Sequence, residues 1–309
     1  MKVNIVLSTY NGEQFLAEQI KSIQEQTFTD WNLLIRDDGS TDATHEIIRR
    51  FVNEDDRIRW INEKTVENLG VIKSFYALIK YEEADVYFFS DQDDIWLSEK
   101  IQLALDEADL YLDEEPLMIY TDLKVVDQDL QVLSESMIRT QSDHANTELV
   151  QELTENTVTG GVAMINYALA QLWNETDDIL MHDWYLALLA TAFGKLVYID
   201  VPTELYRQHD NNVLGARTWS KRMYKWLRPQ LLFSMYWDLI KRSQTQARHL
   251  LALPLSKEKR EVIESFVTVM DQGMMQRFKT LKKYGLQKNK AFHTFVFTCL
   301  IVTKFAYKE

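Results

Sequence analysis

The chain has 309 residues, length for one large domain or two ordinary ones, and 46% of them are apolar, which supplies a full-sized core. With 8 Trp, 14 Tyr and 14 Phe against 9 Gly and 4 Pro, disorder is excluded as the main state, and the single cysteine, Cys299, excludes a disulfide framework or a Cys-rich zinc site. A formal net charge of −13 argues against a protein that coats nucleic acid.

Residues 2–7 are a short apolar run that predicts a buried strand. Residues 14–26 place Phe15, Ile20 and Ile23 on one helical stripe, and 31–36 read as a second strand. A helix is expected over 42–52 with Ser40 or Thr41 as its N-cap, then a short strand at 58–61. Residues 71–81 predict a helix carrying Phe75, Leu78 and Ile79. Residues 85–90 predict a strand buried on both faces, 98–112 a helix and 117–120 a strand. Strands alternating with helices of about 10–15 residues imply βαβ units and a mostly parallel sheet with helices on both faces. Residues 125–157 are polar and irregular apart from a weak helix at 149–153, and read as an inserted loop or lid. A turn at Thr159-Gly160-Gly161 leads into a strand, 183–193 is helical, 196–199 is a strand, and 201–207 runs into a loop over 208–215. Beyond that the pattern is helical.

The first eight residues read as a strand rather than a signal-peptide core, and no window approaches the roughly 20 apolar residues of a spanning helix. A cytoplasmic protein is expected, since a lone cysteine also fits a reducing compartment. The net charge divides sharply. Residues 1–215 hold 15 basic and 41 acidic side chains, whereas 216–309 hold 19 and 6. The expected organisation is therefore a catalytic domain over 1–215 and a basic, aromatic-rich helical region over 216–309. Within the latter, Trp219-Ser220-Lys221-Arg222-Met223-Tyr224-Lys225-Trp226 interleaves rings with cations, and 292–306 is apolar but too short to span. The pattern suits an anionic membrane surface. A helical bundle packed on the catalytic domain, or a face shared with a second copy in a homodimer, is the alternative.

Ligands of open parallel sheets bind beyond the carboxyl ends of the strands, and here those ends are polar. Strand one ends in Ser8-Thr9-Tyr10-Asn11, strand two in Asp37-Asp38-Gly39-Ser40 and strand four in Ser90-Asp91-Gln92-Asp93-Asp94. So many carboxylates at neighbouring strand ends call for a divalent cation, Mn²⁺ or Mg²⁺, which prefer oxygen ligands. Singly, Asp37 and Asp38 could equally be turn formers and Asp94 a helix cap. No G-x-G-x-x-G or P-loop pattern is present, so a dinucleotide dehydrogenase or P-loop enzyme is disfavoured.

Taken in order, Ser8-Thr9-Tyr10-Asn11-Gly12, Asp37-Asp38-Gly39-Ser40-Thr41-Asp42, Asn68-Leu69-Gly70 and Ser90-Asp91-Gln92-Asp93-Asp94-Ile95-Trp96 resemble the signature of family-2 glycosyltransferases. The resemblance implies the type A fold, a Rossmann-like α/β nucleotide-sugar domain, here followed by a helical segment, and an inverting mechanism. Asp91-Gln92-Asp93-Asp94-Ile95-Trp96 and Tyr206-Arg207-Gln208-His209 are most similar to bacterial rhamnosyltransferases of cell-wall rhamnose polysaccharides. That implies dTDP-L-rhamnose as donor, a lipid-linked saccharide as acceptor, and a place at the inner face of the cell membrane. It further implies that Thr9, Tyr10 and Glu13 line the nucleotide base pocket, that Asp38 accepts from base or ribose, and that Asn11, Asp91, Gln92 and Arg207 serve the donor. Asp93 would hold the metal, with Asp91 and His209. Lys73 would approach the phosphates or remain a solvated helix lysine. In His182-Asp183-Trp184-Tyr185, Asp183 would be the general base or merely a helix cap. His182 would orient it, Trp184 would stack on sugar or fill core, and Gly160 and Gly161 would leave room for the acceptor. A UDP-hexose transferase, a sugar-nucleotide pyrophosphorylase and an inactive binding subunit are the rivals.

Overall fold

A computed structural model describes residues 1–65, 67–111, 115–142, 144–209 and 229–307. The interleaved stretch at 219–228 and the loop at 210–215 lie outside these residues. The strands are β1 (Val3–Thr9), β2 (Trp31–Asp37), β3 (Ile58–Trp60), β4 (Val86–Ser90), β5 (Ile95–Trp96), β6 (Leu117–Val126), β7 (Val132–Ser134), β8 (Ala163–Asn166) and β9 (Lys195–Arg207). They form one sheet in the order β3-β2-β1-β4-β8-β6-β9-β5, with β7 paired to β6. The first half is parallel, as the βαβ pattern requires, but β8 runs against both β4 and β6. That reversal brings the Gly160-Gly161 turn beside the carboxyl end of β4.

Burial explains the strand composition. Val3, Ile5 and Leu7 of β1 face the helices α1 (Leu16–Gln24), α2 (Thr44–Glu54) and α4 (Lys100–Ala108), in one core with Ile20, Phe51 and Ile101. Val6, Leu34, Tyr87 and Phe89 face α3 (Val71–Tyr81), α6 (Leu149–Thr154), α7 (Tyr167–Leu172) and α8 (His182–Phe193) in the other. A sheet covered on both sides leaves only its strand ends for ligands.

Two expectations are corrected. Residues 125–157 are not a loop. β6 continues to Val126, folds back as β7, and leads through α5 (Met137–Gln141) into α6. Asp122 and Lys124 break the apolar pattern of β6, yet parallel pairing to β9 resumes beyond them after register shifts at Thr121/Asp122 and Asp122/Lys124. Asp122 is buried and caps α5, its Oδ1 accepting from Met137 N (3.1 Å) and Ile138 N (3.2 Å). The start of α2, in turn, is not capped by Ser40 or Thr41. Glu13 Oε2 accepts from Ala43 N at 3.0 Å and Asp42 Oδ1 from Thr44 N at 3.1 Å, while Ser40 donates to Asp37.

After residue 228 come α9 (Pro229–His249), α10 (Lys257–Val267), α11 (Met274–Tyr284) and α12 (Ala291–Thr303). Their buried residues Trp237, Ile240, Ile263, Phe266, Phe297 and Leu300 join the same core as Leu153, Trp184 and Leu188. Thr154 donates to Gln287 O (2.5 Å) and Lys259 Nζ to Thr191 O (2.8 Å) across that boundary. No helix among the described residues is long and apolar enough to cross a membrane.

Candidate functional site

The ends of β1, β2 and β4 converge through hydrogen bonds between their loops. Gln92 clips β1: Thr9 Oγ1 and Tyr10 N donate to its Oε1 at 2.6 and 2.8 Å, and its Nε2 donates to Tyr10 O at 3.1 Å. Asn11, at φ +48°, accepts from Thr41 N through Oδ1 at 2.8 Å and donates its own N–H to Ser40 Oγ at 2.8 Å. Gln92 and Asn11 thus position loops. Tyr10 is left half exposed, its ring open to a flat ligand.

Asp38 departs from its expected role. It is buried, paired to Arg36 Nη1 at 2.6 Å, and accepts from Leu69 N (2.7 Å), Gly70 N (2.9 Å) and Ser74 Oγ (3.0 Å). Both oxygens are engaged inside the protein, so Asp38 fastens the Asn68-Leu69-Gly70 loop over the end of β2 rather than offering an open acceptor. Gly39, at φ +92°, makes the turn that lets Asp37 reach back to Gly39 N and Ser40 N (3.0 and 2.9 Å). Lys73 is likewise engaged: its half-exposed ammonium meets Asp177 at 2.9 Å.

Carboxylates crowd the end of β4. His209 Nε2 stands 2.7 Å from Asp93 Oδ2, with its ring on Phe15 at 5.0 Å. Loss of hydration, then the charges of Asp93, Glu204 and Asp183, push the Asp91 carboxyl up to about 8. Burial, then the charges of Glu204, Asp93 and Asp91, raises Asp94 well above its ordinary range. Such an excess of negative charge around carboxylate and imidazole donors fits a hard divalent cation. Among the described residues no three such side chains converge closely enough to hold an ion by themselves. Asp93 and His209 are the pair that would hold it. Arg207 is buried and acts through others: Nε donates to Asp93 O (3.0 Å), Nη1 to Gln128 O (2.8 Å) and Nη2 to Glu18 Oε2 (2.6 Å), and its own backbone N–H donates to Asp94 Oδ1 at 2.9 Å. It locks the end of β9, and with it His209, against the Asp93 loop.

Asp183 occupies the first turn of α8. Burial pushes its carboxyl up to about 6, opposed by the backbone amides of Trp184 and Gly160, the former at 2.6 Å. His182 does not orient it. That ring lies on Phe75 (4.3 Å) and Phe89 (5.2 Å), neither nitrogen has a hydrogen-bond partner among the described residues, and burial drives it down to about 3, hence neutral. Trp184 is no sugar platform either: it is buried and donates Nε1 to Glu152 O at 2.7 Å. The space at the glycine turn is taken by protein. A β-carbon at Gly160 would lie 2.9 Å from His182 Nε2, and one at Gly161 2.7 Å from Glu204 Oε1.

The sequence reading missed a buried pair. Lys100 Nζ meets Glu204 Oε2 at 2.5 Å, donates to the Gly161 carbonyl and lies 4.0 Å over the Trp96 ring. Glu152, fully buried and facing Asp183, was missed too; burial raises its carboxyl well above the usual range. No local signal marked Glu204, since β9 also carries Lys195, Asp200 and Arg207.

The model of the family described as "Glycosyl transferase family 2" matches residues 4–114. The chain is 34% identical over 228 residues to the dTDP-rhamnosyl transferase RfbG of Shigella flexneri, covering 71% of this chain and 77% of that one. It is 30% identical over 103 residues to the UDP-Glc:alpha-D-GlcNAc-diphosphoundecaprenol beta-1,3-glucosyltransferase WfgD of Escherichia coli, a third of this chain and 39% of that one. Among solved structures, S. aureus TarS 1-349 in complex with UDP-GlcNAc superposes with a TM-score of 0.60 at 16% identity, covering 92% and 80% of the two chains. Mannosyltransferase PcManGT from Pyrobaculum calidifontis, in complex with GDP-Man and Mn2+, gives 0.55 at 12% identity, covering 92% and 72%. At those identities the likeness is one of fold.

Proposed function

The chain belongs to glycosyl transferase family 2, and from that premise we propose that it moves L-rhamnose from dTDP-L-rhamnose to a hydroxyl of a lipid-linked glycan by metal-assisted, inverting displacement. The observation that carries this reading is Asp183: one carboxylate held out of water in the first turn of α8, with its pKa pushed up to about 6. A base must be ionised at working pH yet basic enough to take a proton, and a value near 6 meets both demands. The 34% identity to a dTDP-rhamnosyl transferase supports the choice of donor.

In this reading the nucleotide base lies along the Thr9–Glu13 edge with Tyr10 as its flat contact. Asp93 and His209 would hold Mn²⁺ or Mg²⁺, which when bound would supply countercharge for the departing diphosphate. The acceptor hydroxyl gives its proton to a carboxylate oxygen of Asp183 as its oxygen bonds to the anomeric carbon. The bond from that carbon to the phosphate oxygen breaks, and its electron pair leaves with the nucleoside diphosphate. One displacement inverts the anomeric centre. A lipid-linked acceptor places the enzyme at the cytoplasmic face of the membrane.

A donor panel tests the assignment. With Mn²⁺ present, dTDP-L-rhamnose is expected to raise the unfolding temperature most and to release diphosphate nucleotide on transfer, binding at a hundredfold excess over Kd stabilising by about 2.7 kcal/mol. A larger response to UDP-glucose or UDP-galactose would replace the donor. Binding without turnover on any acceptor would make the chain an inactive binding subunit.

A further inference from the structure

α12 is apolar on two opposite sides. Phe297, Leu300 and Ile301 pack into the core, while Phe292, Phe295 and Cys299 point outward, the two phenylalanines 56% and 66% exposed. At the far end of the helix, Arg277 of α11 donates Nε and Nη2 to Val302 O at 3.1 and 2.6 Å. That bond ties the start of α11 to the end of α12, and there Met274, Met275, Phe278 and Phe305 are also exposed. Single surface phenylalanines are ordinary, but a run of them along one helix and its neighbour marks a contact surface.

The surface leans basic. Residues 272–307 contain seven lysines and arginines and no aspartate or glutamate, with Arg277 and Lys288 buried. On α11 Lys279 and Lys282 are exposed, Lys282 over the Phe278 ring at 5.8 Å, while Lys283 is paired to Glu261 of α10 at 2.9 Å. Lysines beside exposed rings complement an anionic lipid surface, where rings enter the acyl boundary and lysines meet headgroups. An isologous contact with a second copy would instead set this basic surface against itself. With 13 residues, α12 is too short to cross a bilayer and suited to lying on one.

We propose that the outward face of α12, with the adjoining start of α11, is a seat for an anionic membrane surface, with Phe292 and Phe295 entering the acyl boundary. The proposal stands independently of the donor and acceptor assigned above.

Cys299 is the single cysteine and lies on this face, so a nitroxide attached there reports on it in the full chain. On vesicles containing phosphatidylglycerol, the chain is expected to sediment with the lipid and the label to become accessible to oxygen and shielded from a water-soluble nickel complex. High salt, or phosphatidylcholine alone, should weaken binding about tenfold or more. Phe292→Ser with Phe295→Ser should cost about tenfold or more in partitioning while sugar transfer to a soluble acceptor is unchanged. The proposal is overturned by absence of binding, by binding that leaves the label in water, by a double variant that partitions as the parent does, or by self-association that shields the label without lipid. Failure of sugar transfer in the parent chain would count against the proposed reaction and leave the membrane seat standing.

Discussion

Asp183 is useful as a base because folding removes it from water, and the same burial opposes folding. Its carboxyl rises from 3.8 to about 6, so the folded state holds the proton more tightly than the unfolded chain does. Stability is therefore lost as pH rises from about 4 through about 6, by on the order of 3 kcal/mol once the group is ionised in both states. Transfer has the opposite dependence: it needs the ionised base and should fall as pH drops through about 6. Asp183→Asn should lower kcat by roughly 10²–10⁴-fold, leave donor affinity nearly unchanged, and raise the unfolding midpoint at neutral pH, with that gain shrinking towards pH 4. Unchanged turnover in this variant would reject Asp183 as the base. Asp183 was legible only through the resemblance to family-2 glycosyltransferases, which implies a base at the start of a helix in the second half; by itself the residue reads equally as a helix cap. The sequence could not assign Trp184 or His182, since only packing reveals that Trp184 reaches Glu152 O and that His182 rests on Phe75 and Phe89.

At the level of elements, the parallel half of the sheet was readable because β1, β2 and β4 are apolar on both faces, a pattern local residues declare. The continuation of β6 was not, since its pairing with β9 depends on residues some 80 positions later. The same distance concealed the Lys100–Glu204 pair, which joins α4 to β9 across 104 residues. That ion pair also fixes the glycine turn, because Lys100 donates to the Gly161 carbonyl and the Glu204 carboxylate occupies the space a β-carbon would need. Removing one partner of a buried pair leaves the other charge uncompensated, a loss on the order of 3–5 kcal/mol, whereas removing both is often nearly neutral. Lys100→Met should accordingly lower stability by about that amount in denaturant titration, and Lys100→Met with Glu204→Gln should recover most of it. A double variant as unstable as the single one would show that the packing of the lysine stem over Trp96 matters more than its charge.

For the whole molecule, the charge division at residue 215 suggests two parts that could be separated, and the core argues otherwise. The helices after residue 228 bury Trp237, Ile263, Phe266, Phe297 and Leu300 in the same cluster as Leu153, Trp184 and Leu188. Cutting the chain after residue 215 would bare the apolar faces of α6 and α8. Each large apolar side chain returned to water costs about 1.5–3 kcal/mol, so four or five of them match the whole 5–15 kcal/mol by which a typical domain is stable. The segment 1–215 alone should therefore be aggregated, or compact without a cooperative thermal transition, although it contains every proposed donor, metal and base residue. Sedimentation and calorimetry of that segment check this. A monomer melting as the full chain does would show that the helices are an attachment rather than part of the core. Because of this shared core, the part played by the basic surface has to be separated from folding by substitutions on the exposed face of α12, not by truncation. Phe292 and Phe295 can change there while Phe297 and Leu300 keep the helix in place.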